Sequence, residues 1–162
     1  MILVDTHAHL DFDQFDGDRA AVLQRAQAAG VGIIITIGTD VASSQAAVEL
    51  AAQHEMVYAT VGMHPHDART LDGDALAELR ALGQRPEVVG VGEIGLDFYR
   101  DRSPRDVQRR AFRAQLAWAA TLGKPVVIHD RDAHDEIMAV LGDWARGLDG
   151  TPLAGRAGVL HT

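Results

Sequence analysis

Six short apolar stretches rich in β-branched residues, at positions 2–4, 31–37, 57–61, 88–91, 125–128 and 157–160, alternate with five segments long enough to cross a sheet, at 16–29, 40–54, 72–83, 104–122 and 132–146. Parallel neighbours need such crossovers, because the chain must return to the same end of the sheet before it can run in the same direction again. The alternation therefore predicts βαβ units, an α/β fold and a parallel sheet, and it is compatible with either a doubly wound sheet or a barrel. The fourth helix is the best defined. Ser103 is placed to cap it, Pro104 suits the first helical position, and Asp106 puts negative charge in the first turn. Val107, Ala111, Phe112, Leu116 and Ala119 recur at spacings of three and four, which predicts one buried face. Gly123 is placed to close this helix and Gly30 the first.

No Pro- or Ser-rich linker and no low-complexity segment divides the 162 residues, so one domain is expected. Apolar residues make up 47% and charged residues 23%, which supports a sizeable core and excludes a disordered chain. No apolar run approaches the roughly 18 residues of a membrane span, and the start Met-Ile-Leu-Val-Asp has no basic, long apolar signal pattern. A soluble, cytoplasmic protein without a membrane partner is expected; oligomeric state is left open. With no Cys, any metal must be held by nitrogen and oxygen. The net charge of −8 opposes nonspecific attraction to phosphate, so recognition of a nucleic acid would have to be local.

Six of the eight His fall just beyond the C-terminal ends of predicted strands: His7, His9, His64, His66, His129 and His161. The fourth strand ends in Gly92-Glu93-Ile94-Gly95-Leu96-Asp97, which places carboxylates at the corresponding level. In parallel α/β folds these ends share one face, where sites are built. His54 and His134 fall in helical segments and are expected at the surface. In His7-Ala8-His9 the extended chain sends both imidazoles to one side, making a two-nitrogen clamp. Any one of these residues alone reads as a structural hydrogen-bonding group. Four imidazoles and a carboxylate reaching one face from strands one, four, five and six would cost desolvation energy unless they bind something. A metal site becomes the favoured reading.

Nitrogen-rich ligation with a carboxylate that can bridge suits Zn²⁺ or Mn²⁺ better than an all-oxygen Mg²⁺ site. The ligand count is enough for two divalent ions, which at a separation of about 3.5–4 Å would activate water and clamp a phosphate or ester oxygen. No nucleophile elbow, phosphate-binding Gly-rich loop, dinucleotide fingerprint or His-Glu-x-x-His motif competes, so hydrolysis is the expected reaction class. Between positions 100 and 113 lie Arg100, Arg102, Arg105, Arg109, Arg110 and Arg113 against Asp101 and Asp106, an excess of four positive charges. This patch reads equally well as a holder of backbone phosphates or as the solvated face of helix four. Arg131, directly after His129-Asp130, is a better single candidate for holding an anion.

Taken together, these blocks resemble the TatD family of metal-dependent deoxyribonucleases. Asp5-Thr6-His7-Ala8-His9-Leu10-Asp11 is similar to the family's opening strand and Val61-Gly62-Met63-His64-Pro65-His66 to its third. Gly92-Glu93-Ile94-Gly95-Leu96-Asp97-Phe98-Tyr99 and Pro125-Val126-Val127-Ile128-His129-Asp130-Arg131-Asp132-Ala133 resemble the fourth and fifth, and Gly158-Val159-Leu160-His161-Thr162 the start of the sixth. The resemblance implies a TIM-type (β/α) barrel with a two-metal site, holding Zn, Mn or Mg, for hydrolysis of DNA phosphodiesters, the DNA being single-stranded or end-bearing. It implies that His7, His9 and Glu93 bind one ion and that Glu93, His129 and His161 bind the other, with Glu93 as the bridge. His64 and His66 would lie near the site, while Asp97, Tyr99 and Arg131 would orient ligands or substrate. The family continues through two further strands and an Asp that completes the first metal site; no residue here matches it. The expectation is a fragment carrying about six of eight strands, with strands one and six as open edges. The alternatives are hydrolysis of a small ester, an amide or an aminoacyl-tRNA, and an inactive metal-binding or interaction module.

Overall fold

All six apolar stretches become strands and all five crossovers become helices in the computed structural model, which describes residues 2–162. The order is β1 (Leu3–Ala8), α1 (Arg19–Ala28), β2 (Val31–Ile37), α2 (Val41–Gln53), β3 (Val57–Val61), α3 (Gly73–Gly83), β4 (Val88–Asp97), α4 (Arg105–Leu122), β5 (Val126–Arg131), α5 (His134–Arg146) and β6 (Gly158–His161). Short 3₁₀ turns follow β1 at Asp13–Phe15 and β3 at Pro65–Thr70. Four strands run past their apolar stretches, β6 by the single residue His161. β1 continues through Asp5 and His7 to Ala8, β4 through Glu93 to Asp97, and β5 through His129 to Arg131. Most of the chemistry-bearing side chains therefore sit on the last residues of strands, where the ladder fixes their direction, rather than on loops.

The sheet is entirely parallel and its strands lie side by side in chain order, β1-β2-β3-β4-β5-β6. A doubly wound sheet would reverse its order at a switch point; an unbroken order is that of a barrel wound in one direction. The sheet curls as a partial barrel far enough for the His7 ring on β1 and the His161 ring on β6 to stack, centroids 4.0 Å apart. β1 and β6 are its two edges. Their apolar residues Leu3, Val4, Val159 and Leu160 are exposed, in contrast to the buried β3 and β4.

The core lies between sheet and helices, with Ile94, Leu96, Leu79, Phe112, Leu116, Ile128 and Ile137 almost fully buried. On α4 the predicted stripe holds: Ala111, Phe112, Leu116 and Ala119 are buried, and Val107 half-buried. Gly123 closes α4 and Gly30 follows α1, both with positive φ. Ser103 does not cap α4. Pro104 takes that position without a side-chain cap, and the Ser103 hydroxyl donates to the His66 carbonyl at 2.8 Å while accepting from the Arg69 N–H at 3.2 Å. A fully buried hydroxyl gains more from tying down a neighbouring turn than from capping a helix whose first residues face solvent. Among the described residues no helix is long and apolar enough to cross a membrane.

Candidate metal centre

The C-terminal ends of β1, β3, β4, β5 and β6 converge, and with them all six strand-end histidines and Glu93. Glycines make the approach of β4 to β5 possible. Gly92 and Gly95, either side of the Glu93-Ile94 pair, have φ of +157° and +145°. A Cβ on Gly92 would lie 2.7 Å from Val127, and one on Gly95 would collide with the His129 carbonyl oxygen. Only residues without a side chain let the two backbones press together here.

Glu93 is 3% exposed and sits between two groups of donors. Among the described residues, one ligand atom each from His7, His9 and Glu93 lie within 4.8 Å of one another, as do atoms from His64, Glu93 and His129. Glu93 Oε2 is 3.5 Å from His7 Nε2, and Glu93 Oε1 accepts from His129 Nδ1 at 2.9 Å. One carboxylate thus presents an oxygen to each group. His7 Nε2 and His9 Nδ1 are buried without a hydrogen-bond partner. Two orphaned imidazole nitrogens beside a carboxylate form a donor set that suits a divalent cation of the first transition row or zinc, so these residues fit the metal that the chemistry implies.

The protonation states agree with this fit. Burial pushes the Glu93 carboxyl up, but contacts with His129 and His7 outweigh it and hold the group ionised, well below the usual carboxylate range. Burial, helped by the facing His129, pushes His64 down to about 3, leaving a neutral imidazole. Burial also pulls His129 down, yet Glu93 and Asp97 raise it above the ordinary histidine value overall. Its two ring nitrogens reach two carboxylates, Glu93 at 2.9 Å and Asp97 Oδ2 at 3.2 Å. A cation arriving at His129 must displace a proton.

Asp97, 1% exposed, links this centre to the next layer. Its Oδ2 is 2.7 Å from His66 Nε2, and its Oδ1 accepts the backbone N–H groups of Tyr99 and Arg100 at 3.0 and 2.7 Å. Arg131 pairs in register with Asp97, and its guanidinium lies over the Tyr99 ring. Of the two helical histidines, His134 is an exposed side chain bonded to Asp130, and His54 is a half-buried helix-end residue. The arginine-rich segment divides. Arg105 pairs with Asp101, Arg110 with Asp106 and Arg109 with Glu136 of α5, which ties three of the six to the outer surface of the helical layer.

Two glutamines of α4 play a part that sequence reasoning missed. Gln115 accepts from the Met63 N–H at 2.7 Å and donates to the Met63 carbonyl at 3.1 Å; Gln108 does the same for Asp97, at 2.9 and 3.1 Å. Both are fully buried. Each side-chain amide replaces a missing strand neighbour, one just before His64 and one at Asp97 itself. Their signal was present as two Gln seven residues apart on the apolar stripe of α4, where a polar residue needs a reason. Gln115→Leu removes both partners of Met63 and should destabilise the fold by about 2 kcal/mol, read as a lower melting temperature; an unchanged melting temperature would refute the clip.

The sequence profile described as TatD related DNase matches residues 4–162. The chain belongs to the TatD family. YabD of Bacillus subtilis, named as an uncharacterized metal-dependent hydrolase, is 39% identical over 140 residues, 86% of this chain and 55% of the relative. The 3'-5' ssDNA/RNA exonuclease TatD of Erwinia tasmaniensis is 41% identical over 160 residues, 98% of this chain and 59% of the relative. The crystal structure of YJJV, a TatD homolog from Escherichia coli K12, superposes with a TM-score of 0.82 at 36% identity over 88% of this chain and 56% of that one. The chain thus spans 55–59% of the length of these two curated relatives.

Within this TatD chain, His7, His9 and Glu93, the residues that the resemblance assigns to one ion, are brought together. The atoms that come together with Glu93 and His129 are those of His64, which had been expected only near the site. His161 instead lies flat against His7 at an interplanar angle of 19°, one strand along from His129 in register. Asp11, half-buried beside His9, has a buried Oδ1 without a partner and a carboxyl raised by burial; its chemistry had no signal beyond its place in the first motif.

Proposed function

We propose that this chain carries the metal centre of a hydrolase that cleaves phosphodiester bonds in nucleic acid, acting on single-stranded or end-bearing strands with two divalent ions. The observation that carries the reading is the sharing of one buried, ionised carboxylate, Glu93, between two imidazole-rich donor groups, one of which contains orphaned nitrogens. The names of the relatives, metal-dependent hydrolase and ssDNA/RNA exonuclease, support the substrate class. His7, His9 and Glu93 would hold one ion, and Glu93, His129 and either His64 or His161 the other. When bound, such ions supply Lewis acidity that polarises a phosphoryl oxygen and lowers the pKa of water. The chain's own contribution is to keep the donors in the right protonation state and place. Burial keeps His64 neutral, and Asp97 orients His66 and His129 through one oxygen.

The test is release of mononucleotides from a single-stranded oligonucleotide with Mg²⁺, Mn²⁺ or Zn²⁺, beside an aminoacylated RNA and a small carboxylic ester. Nucleotide release that requires a divalent ion and stops on chelation is expected. Faster turnover of either ester than of the oligonucleotide, or no release with any of the three ions, would overturn the reading.

A further inference from the structure

One feature at the mouth of the site is not needed to hold a metal. Tyr99 follows the end of β4 and is 59% exposed. The Arg131 guanidinium lies over its ring at 4.3 Å from the centroid and that of Arg100 at 5.7 Å. Arg105, Arg109 and Arg110 each have a carboxylate partner; among the described residues neither Arg100 nor Arg131 makes an ion pair. Strand alternation puts Arg131 on the same side of β5 as His129, about 7 Å further along. The turn bearing Tyr99 and Arg100 is held by Asp97 Oδ1, whose other oxygen holds His66 and His129. A flat aromatic and one unpaired cation, Arg100, are therefore fixed to the metal face through a single carboxylate, and a second unpaired cation, Arg131, reaches the same ring from β5, in a chain whose net charge is −8.

A phenol ring that stays 59% exposed with guanidinium groups beside it offers aromatic surface and fixed positive charge together. That combination suits a nucleobase with its adjoining phosphate, since every base has a face to stack and every link a charge to neutralise. A small ester offers neither. We propose that Tyr99, Arg131 and Arg100 form a subsite for the nucleotide next to the one being cleaved, Tyr99 by stacking its base and the two arginines by holding its phosphate. The proposal rests on the nuclease reading above and names the group that would make the site select a strand.

The experiment compares binding of two labelled ten-residue single strands by fluorescence anisotropy, one with bases and a phosphorothioate backbone, the other with the same backbone and no bases. The proposal expects Tyr99→Ala to weaken the base-bearing strand about tenfold and the abasic strand less than twofold, and Tyr99→Phe to restore binding. Arg131→Gln should weaken both strands and reduce the salt dependence by about one phosphate contact. Equal loss on both strands with Tyr99→Ala, as simple damage to the turn would give, overturns the proposal, and so does no loss on either. Wild-type chain that binds neither strand and releases no nucleotide overturns the nuclease reading along with it. Wild-type chain that binds and cleaves, while Tyr99→Ala keeps the full preference of the wild type for the base-bearing strand, overturns the subsite alone.

Discussion

Glu93→Gln is expected to lower nucleotide release by about 10³-fold and to leave fewer than the two tightly bound divalent ions proposed for the wild type. The substitution is isosteric, so the buried pocket keeps its volume; what disappears is the one negative charge that both donor groups share. The groups would retain only neutral imidazoles facing two dications. Removing a single preorganised charge-stabilising group costs about 10²–10³ in rate, and in the proposed two-ion centre this one would serve both ions, which places the expectation at the upper end. The metal-free protein gives a second readout. Glu93 is held below its usual range, so its contribution to stability is present above the unfolded value of about 4.3 and is lost as pH falls below it. His129 is raised, so its contribution is complete below about 6.5 and fades as pH rises through its folded value. With metal chelated, the difference in melting temperature between wild type and Glu93→Gln should therefore be widest between about pH 4.3 and 6.5. Wild-type rates in the variant, or two ions still tightly bound, would remove Glu93 from the bridging position.

Most of this centre was legible because its logic is periodic. A His at positions 7 and 9 of an extended chain must point one way, and histidines at successive strand ends must share a face once the sheet is parallel. The buried stripe of α4 was legible for the same reason. What periodicity does not carry is strand order: the same apolar stretches serve a doubly wound sheet or a barrel, and only the pairing of each strand with its sequence neighbours decides between them. Nor does it carry the tasks of buried polar residues. Ser103 has the local context of a helix cap but spends its hydroxyl on the His66 turn, and Gln108 and Gln115 serve strand backbone that lacks a neighbour. His64 and His161 show the limit from another side. Both follow an apolar stretch, and their place relative to Glu93 depends on the curl of the sheet, a long-range property with no local signature.

Gly95→Ala is expected to be among the most damaging single-methyl changes in the chain, by at least about 4 kcal/mol. Two effects add. The backbone at φ +145° is rarely adopted by residues with a side chain, which costs about 1–3 kcal/mol. The new methyl would also be driven into the His129 carbonyl, which is main chain and cannot swing aside. β4 and β5 would have to part where Gly95 pairs with His129, two residues from Glu93, and the 2.9 Å contact between Glu93 and His129 would open with them. In a chain of this size each kcal/mol corresponds to about 2–4 °C, so the melting temperature should fall by about 8 °C or more, together with divalent-ion binding. Gly123→Ala provides the control, because Gly123 also has positive φ, at +70°, yet a Cβ there meets nothing within 4 Å. It should cost about 1–2 kcal/mol and leave ion binding intact. If the two variants melt within a few degrees of each other, the close approach of β5 is not what Gly95 is for, and the backbone conformation alone accounts for it.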